Sequence, residues 1–154
     1  MDKIKDISFA LVIDLGGTGR YIEDSKGNPV ININITNRSD YPGLKGQLIP
    51  NYMFGDVRSA LVLPEKSVSK MYAESMPITN QQWSKEMLRV MKPGGKIIIY
   101  STPAFVDSII KLFKEANPKI EVKKIGDYLK DYPDRAGGKY PGGGEGAEIT
   151  VPKE

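Results

Sequence analysis

The 154-residue chain contains no cysteine and no histidine, and each absence excludes a class of chemistry. Without cysteine there is no disulfide framework, no thiolate zinc site and no cysteine nucleophile. Without histidine there is no Ser-His-Asp triad, no histidine-ligated metal and no imidazole general base. Any catalysis must therefore use carboxylates, lysine, arginine, tyrosine, hydroxyl groups, backbone dipoles or a bound cofactor.

Long hydrophobic runs are also missing. The apolar run from Phe9 to Ile13 is too short for a signal-peptide core or a membrane span, so we expect a soluble chain without membrane contact. The 22 basic and 19 acidic residues give a net charge of +3, which permits a nucleic-acid partner without requiring one. The length predicts a single domain over residues 1–154.

Two strands are predicted near the start of the chain. Apart from Ser8, residues 7–13 form a continuous apolar run, which is typical of a strand covered on both faces in a parallel sheet. Residues 30–35 alternate isoleucine with asparagine, as in a strand whose two faces differ. The segment 19–29 is too short and too rich in breakers for a crossover helix. Either a loop makes the crossover or the pair is a hairpin, and we favour the loop, with the first helix missing.

The rest of the chain reads as alternating strands and helices. We predict strands at 52–54, 68–76, 96–100, 120–125 (an edge strand) and 147–151, and helices at 80–91 and 104–116. The helix at 80–91 places Trp83, Met87 and Met91 in the core, and Lys92-Pro93-Gly94-Gly95 follows it as a turn. Residues 133–146 hold six of the 16 glycines, which predicts a mobile loop.

The block from Trp83 to Tyr100 resembles the class I S-adenosylmethionine-dependent methyltransferases. In that family a helix carrying an Arg-Val pair, here Arg89-Val90, leads through a Pro-Gly-Gly turn into the fifth strand. The resemblance implies an α/β fold: a reduced Rossmann-like, mostly parallel sheet flanked by helices. It also implies S-adenosylmethionine as cofactor, and no metal is expected.

The resemblance extends backward to the cofactor-binding motifs. The segment Asp14-Leu15-Gly16-Gly17-Thr18-Gly19 looks like the glycine loop that passes under the methionine part of the cofactor. Asp56 in Gly55-Asp56 looks like the carboxylate that approaches the adenine amino group. The acidic residue expected after the second strand is absent, so Asn34 or Asn37 would hold the ribose, with Asp40 more distant. The implied cofactor-binding residues are Asp14, Gly16, Gly17, Gly19, Asn34 and Asp56.

The candidate catalytic residues are Glu74, Arg20 and Tyr72. Glu74 stands at the end of the fourth strand, where enzymes of this family place acceptor-side residues, and it is either a general base or an ordinary ion-pair partner. Arg20 either binds an anion or pairs with Glu23 or Asp24 at the surface.

A narrower pattern joins Asp-x-Gly-Gly-x-Gly-Arg at 14–20 to Ile-Asn-x-Asn at 31–34 and to the Pro-Gly-Gly block. It resembles methyltransferase-like domains at the C-termini of secreted bacterial polymorphic toxins, including contact-dependent growth inhibition proteins. The resemblance implies delivery within a larger protein into the cytoplasm of a target cell. It also implies a cognate immunity protein as partner, and we expect a monomer.

Two alternatives to methyl transfer stay open. A scaffold that has lost its cofactor could cleave RNA, with Glu74 or Asp14 as base, Tyr72 as acid and Arg20 or Arg58 at the phosphate. An inactive binding module is the other alternative. Five lysines of the C-terminal part could follow a nucleic-acid backbone or simply form a solvated face: Lys111, Lys114, Lys119, Lys123 and Lys124.

Overall fold

The computed structural model describes residues 11–19, 21–24, 26–41, 43–56, 58–74, 76–126, 128–131 and 144–153. Within them one sheet of seven strands forms. The strands are β1 Val12–Leu15, β2 Val30–Asn34, β3 Tyr52–Phe54, β4 Val68–Glu74, β5 Met91–Ser101, β6 Glu121–Ile125 and β7 Glu145–Thr150.

The strand order is β3-β2-β1-β4-β5-β7-β6. Strands β1 to β5 pair in parallel, and β7 lies antiparallel between β5 and β6. The chain moves outward from β1 to β3 and then returns to the other side of β1 at β4, so the order reverses between β1 and β4. Loops at the carboxyl ends of these two strands diverge and leave a crevice, which is where ligands bind in such sheets.

Three helices complete the described fold: α1 Gln81–Val90, α2 Pro103–Ala116 and the short α3 Tyr128–Asp131. Helix α1 begins because the Asn80 side chain caps it by accepting a hydrogen bond from the Trp83 N–H. Helix α2 begins with Pro103, whose missing N–H costs nothing at that position. None of these helices combines the length and apolarity that crossing a membrane requires.

The two longer helices cover one face of the sheet. Their buried side chains form a large apolar cluster with alternate strand residues such as Ile13, Met71 and Ile97. The predicted core residues Trp83, Met87 and Met91 are all buried there. The intervening strand residues face the other side, where a smaller cluster contains Val12, Val30, Tyr72, Ile98, Tyr100, Ile125 and Tyr128. The sheet therefore has two chemically distinct faces.

The loop crossover from β1 to β2 is confirmed, since the strands are parallel and no described residue between them is helical. Asparagine amides tie down this loop in place of a helix. The Asn32 Nδ2 group donates to the carbonyls of Tyr21 at 3.1 Å and Pro50 at 2.9 Å. The Asn51 Nδ2 group donates to those of Ile22 and Val30, each at 3.1 Å. Within a helix, backbone carbonyls would accept hydrogen bonds from the helix itself. In this loop they accept them from asparagine side chains instead.

Replacing Asn32 with alanine is expected to lower the free energy of unfolding by about 2 kcal/mol, measured by urea denaturation. Asn32 is fully buried, so the change strips two carbonyls of their donor and leaves a small cavity. Asn37→Ala is the matched control, because the Asn37 side chain is exposed. Equal stability of the two variants would contradict the role assigned to Asn32.

The structure differs from the predicted elements in several places, among them the end of β4 at Glu74 instead of residue 76 and the short helix α3, which no pattern predicted. Residues 92–95 lie inside β5 rather than forming a separate turn, because Gly94 and Gly95 exchange backbone hydrogen bonds with Val151. These residues form a bulge in the pairing with β4. Val68 pairs with Met91 and Lys70 pairs with Lys96, so β5 has more residues than β4 between the two pairs. Strand β7 starts at Glu145, two residues before its predicted start at Ala147.

Some predictions lie outside the described residues. These are the first residues of the opening strand, up to residue 10, and most of the glycine-rich segment, residues 133–143. The edge position predicted for the late strand is confirmed, because β6 pairs only with β7 at one end of the sheet order.

Candidate functional site

A cavity of about 470 Å³ opens at the carboxyl ends of β1, β2 and β3, next to the start of α1. Its volume lies within the range of small-molecule sites. Most of its wall is apolar, and the polar groups come from a few side chains. The lining residues are Leu15, Gly16, Ile33, Asn34, Ile35, Gly55, Asp56, Arg58, Met76, Pro77, Thr79 and Trp83.

Gly16 opens the glycine loop and borders the cavity. Its φ of +75° is a left-handed conformation that side chains disfavour, and a Cβ there would lie 2.5 Å from the Met76 Sδ atom. The Gly16 N–H donates to the carbonyl of Ile33 at 2.7 Å, which fixes the loop at the end of β2. Glycine at this position therefore keeps one wall of the cavity open.

The other two glycines of the loop pack against the protein itself. A Cβ on Gly17 would lie 2.2 Å from the Asn32 Oδ1 atom, and one on Gly19, at φ +89°, would lie 2.6 Å from Pro50. Neither glycine is among the residues that line the cavity. Their small size lets the loop approach the asparagine network that replaces the first helix.

Asn34 ends β2 and contributes the amide of the cavity wall. Its Nδ2 group donates to the Gly17 carbonyl at 3.0 Å, and its Oδ1 atom accepts from the Ile35 N–H at 2.8 Å. The Tyr52 hydroxyl donates to the Asn34 carbonyl at 3.0 Å. An amide that is held on both sides in this way has a fixed orientation toward a ligand.

Asp56 and Arg58 form the charged part of the cavity wall. The Arg58 Nη2 group lies 2.7 Å from the Asp56 Oδ2 atom, and Arg58 Nε lies 2.9 Å from Oδ1. The Arg58 guanidinium holds the pKa of the Asp56 carboxyl below its usual value, and the Arg58 N–H adds to this effect. Asp56 therefore carries a negative charge throughout the neutral range.

The loop that carries Asp56 is fastened to α1. The Gln82 Nε2 group donates to the Arg58 carbonyl at 2.6 Å. The Glu86 carboxylate accepts from the Leu61 N–H and from Arg89, whose Nη2 group also donates to the Leu61 carbonyl at 3.1 Å. The Arg89 hydrogen bond holds the pKa of Glu86 below its usual value. A partly buried ion pair on α1 thus anchors this connection.

A second polar group lies on the opposite face of the sheet. Tyr72 and Glu74 alternate with the residues of β4 that face the large core, and the Tyr128 hydroxyl donates to the Glu74 carboxylate. The rings of Tyr128 and Tyr100 stack with centroids 4.4 Å apart. The Lys70 ammonium lies 5.2 Å from the Tyr72 ring centroid, a cation–π contact.

The structure divides the predicted site residues between these two places. Gly16, Asn34 and Asp56 line the cavity. Register and strand alternation place Asp14, Tyr72 and Glu74 together on the other face, where Asp14 is buried in β1 next to Tyr72. Arg20 lies outside the described residues. The described part of the chain has no group of three acidic side chains that could hold a metal ion.

Sequence reasoning missed most of the apolar wall of the cavity. Leu15, Ile33 and Trp83 are ordinary core residues by pattern, and only the meeting of strand ends with α1 makes them cavity residues. Arg58, one of two candidate phosphate ligands under the RNA-cleavage alternative, pairs with Asp56 in the structure. The ion pair could have been predicted from the spacing, because the arginine follows the aspartate by two positions.

The strand order and the cavity at its reversal point define a class I methyltransferase-like Rossmann fold, in reduced form with few helices. Solved structures with this fold include a SAM-dependent methyltransferase from Aquifex aeolicus, 16% identical with a TM-score of 0.58, where the match covers 97% of this chain and 88% of that one.

Two further solved structures are similar to the same extent. The aminoglycoside resistance methyltransferase NpmB1 is 18% identical with a TM-score of 0.57, and the match covers 97% of this chain and 92% of that one. The [4+2]-cyclase SpnF is 15% identical with a TM-score of 0.56, covering 98% and 80%. No protein-family profile and no curated protein matches the sequence. At these identities the likeness establishes the fold and not the reaction.

Proposed function

We propose that this domain binds S-adenosylmethionine in the cavity and transfers its methyl group to an acceptor. The observation that carries the proposal is the cavity itself, which lies where the strand order reverses and joins apolar walls to one amide and one carboxylate. Methyltransferases among the solved structures of this fold, including the SAM-dependent one from Aquifex aeolicus, support it.

The residues of the cavity fit an adenosine-bearing ligand. Leu15, Ile33 and Trp83 offer apolar surface to a purine, and Asp56 offers a charged acceptor to an amino group. A Cβ on Gly16 would displace the Met76 thioether, so the open wall depends on glycine. Asn34 offers an amide to hydroxyl groups in place of the carboxylate that the family uses.

Gly16, Asn34 and Asp56 would hold the cofactor, which supplies an activated methyl group on a sulfonium. The protein's own contribution is to orient the bound groups and exclude water, since proximity provides much of the acceleration in such transfers. The predicted role of Glu74 as an acceptor-side base is not part of this proposal, because Glu74 lies on the face of the sheet opposite the cavity, where its carboxylate accepts from the Tyr128 hydroxyl.

Methyl transfer can be tested with tritiated S-adenosylmethionine added to fractionated bacterial RNA and protein. We expect label in one fraction with the wild-type chain and at least tenfold less with Thr79→Phe, whose ring would fill the cavity. Thr36→Phe is the matched control, because Thr36 is exposed and outside the cavity. Absence of label, or equal label with both variants, would contradict the proposal.

The biological setting is proposed from the sequence resemblance alone. We propose a toxin domain that is delivered within a larger secreted protein, acts as a monomer in the target-cell cytoplasm and is neutralised by an immunity protein. Growth arrest on cytoplasmic expression, relieved by coexpression of a neighbouring open reading frame, would support this setting. Normal growth at high expression would contradict it.

RNA cleavage is a second candidate, and one observation favours it. Glu74 and Tyr128 form a carboxylate–phenol pair on the face opposite the cavity, with the Lys70 ammonium against the Tyr72 ring on that face. A carboxylate base, a phenol acid and a cation are the groups that metal-free cleavage requires. Under this candidate, Glu74→Gln abolishes cleavage of cellular RNA while Thr79→Phe leaves it intact.

A further inference from the structure

Three N–H groups of Arg58 already occupy most of the acceptor sites of Asp56, and Nε is shared between the two oxygens. The Asp56 Oδ1 atom accepts from the Arg58 N–H at 3.0 Å and from Nε at 2.9 Å, and the Oδ2 atom accepts from Nε at 3.2 Å and Nη2 at 2.7 Å. A carboxylate offers about four lone-pair sites. Asp56 is also the only carboxylate among the described residues that line the cavity, so an amino group of a ligand meets an acceptor that is already occupied.

The backbone of this loop is fixed, and the arginine side chain is not. Gln82 holds the Arg58 carbonyl, while Glu86 and Arg89 hold both backbone groups of Leu61. The Arg58 side chain is 63% exposed, against 23% for Asp56. The guanidinium has room to swing into solvent when a ligand approaches Asp56, but its charge-assisted contacts with the carboxylate must first be broken. Asp56 stays at the cavity wall whichever partner it has.

We propose that Arg58 determines ligand specificity by competing with a ligand's amino group for the Asp56 carboxylate. This inference rests on the proposed function, because it assumes that a purine occupies the cavity. With Arg58 present, a 6-amino purine gains little from Asp56 and is preferred only weakly over a 6-oxo purine. Without Arg58, the freed carboxylate accepts a charge-assisted hydrogen bond from the amino group.

The test compares two probes that differ at this group, S-adenosylhomocysteine and S-inosylhomocysteine, by calorimetric titration. In Arg58→Ala we expect S-adenosylhomocysteine to bind about tenfold more tightly than in the wild type, the order of one charge-assisted hydrogen bond. The affinity for S-inosylhomocysteine stays the same or falls, since its 6-oxo group places a second acceptor against the carboxylate.

Two further variants isolate the mechanism. Arg38→Ala removes an exposed arginine that donates to the Gly46 carbonyl away from the cavity, and it should change neither affinity. Adding Asp56→Asn to Arg58→Ala should erase the gain for S-adenosylhomocysteine. Asparagine has nearly the same size as the aspartate that it replaces at position 56. If the tighter binding of S-adenosylhomocysteine is lost in the double variant, the cause is therefore the missing charge and not a collapsed cavity.

The outcomes distinguish a failure of the Arg58 competition from a failure of the proposed cofactor site. Weaker binding of both probes in Arg58→Ala, or an equal change in both, overturns the competition and leaves the proposed cofactor site standing if the wild type binds. An unchanged affinity for S-adenosylhomocysteine overturns it as well. Failure of the wild type and of Arg58→Ala to bind either probe overturns both this inference and the proposed function.

Discussion

Replacing Gly16 with alanine is expected to weaken binding of S-adenosylhomocysteine at least tenfold. The new methyl group would lie 2.5 Å from the Met76 Sδ atom, so Met76, which also lines the cavity, must move to make room. Because alanine disfavours the φ of +75°, the free energy of unfolding of the variant should also fall by roughly 1–2 kcal/mol. Calorimetric titration measures the affinity, and urea denaturation measures the stability.

Gly27→Ala is the matched control for this prediction. Gly27 has a similar φ of +81°, and no described residue lies within 4 Å of a Cβ built there. Both variants should therefore lose comparable stability, whereas only Gly16→Ala should lose binding. A binding loss shared by the two variants would show that general destabilisation, and not the wall of the cavity, is responsible.

Replacing Glu86 with alanine is expected to lower the free energy of unfolding by about 3 kcal/mol. Glu86 is 9% exposed, and its loss leaves the Leu61 N–H without its carboxylate acceptor and Arg89 without its partner. The same change releases the loop that presents Asp56 to the cavity, so ligand affinity should fall as well. Glu115→Ala is the control, since Glu115 is exposed and its hydrogen bond from the Gln81 side chain is exposed as well. Equal stabilities of the two variants would contradict the anchoring role.

The Glu86 contribution has a defined pH dependence. Its carboxyl has a pKa below the ordinary value of 4.5 because Arg89 donates to it, so folding favours the ionised form. The stabilisation is therefore fully present above about pH 4.5 and is lost as the pH falls through the lowered pKa of the folded state. We expect the stability difference between the wild type and Glu86→Ala to be constant near neutrality and to shrink in acid.

Much of the fold could be predicted because the buried strands are encoded locally. Of the apolar run at 7–13, Val12 and Ile13 lie in β1, and the short run Tyr52–Phe54 forms β3; both strands pair in parallel as expected. The shortage of residues between β1 and β2 correctly indicated a loop crossover. That residues 92–95 belong to β5 could not be predicted from the local sequence. Gly94 and Gly95 join the strand because their backbone pairs with Val151, more than fifty residues away.

The site could be predicted less completely, for a geometric reason. Gly16, Asn34 and Asp56 follow the ends of neighbouring parallel strands, which brings them to one cavity. Residues at strand ends also alternate between faces, so Asp14 and Leu15 point to opposite sides of the sheet. Applying this alternation to β4 separates Tyr72 and Glu74 from the cavity. The anchoring by Glu86 depends on a tertiary contact that no local pattern encodes.

Binding of S-adenosylmethionine in the cavity has a direct spectroscopic readout. Trp83 is the only tryptophan of the chain, and it lines the cavity. A titration of tryptophan fluorescence with S-adenosylmethionine should give a saturable change with a midpoint in the micromolar range, about −8 kcal/mol of binding free energy. Emission that stays unchanged up to millimolar cofactor would contradict the account and direct the search to the Glu74 face and RNA.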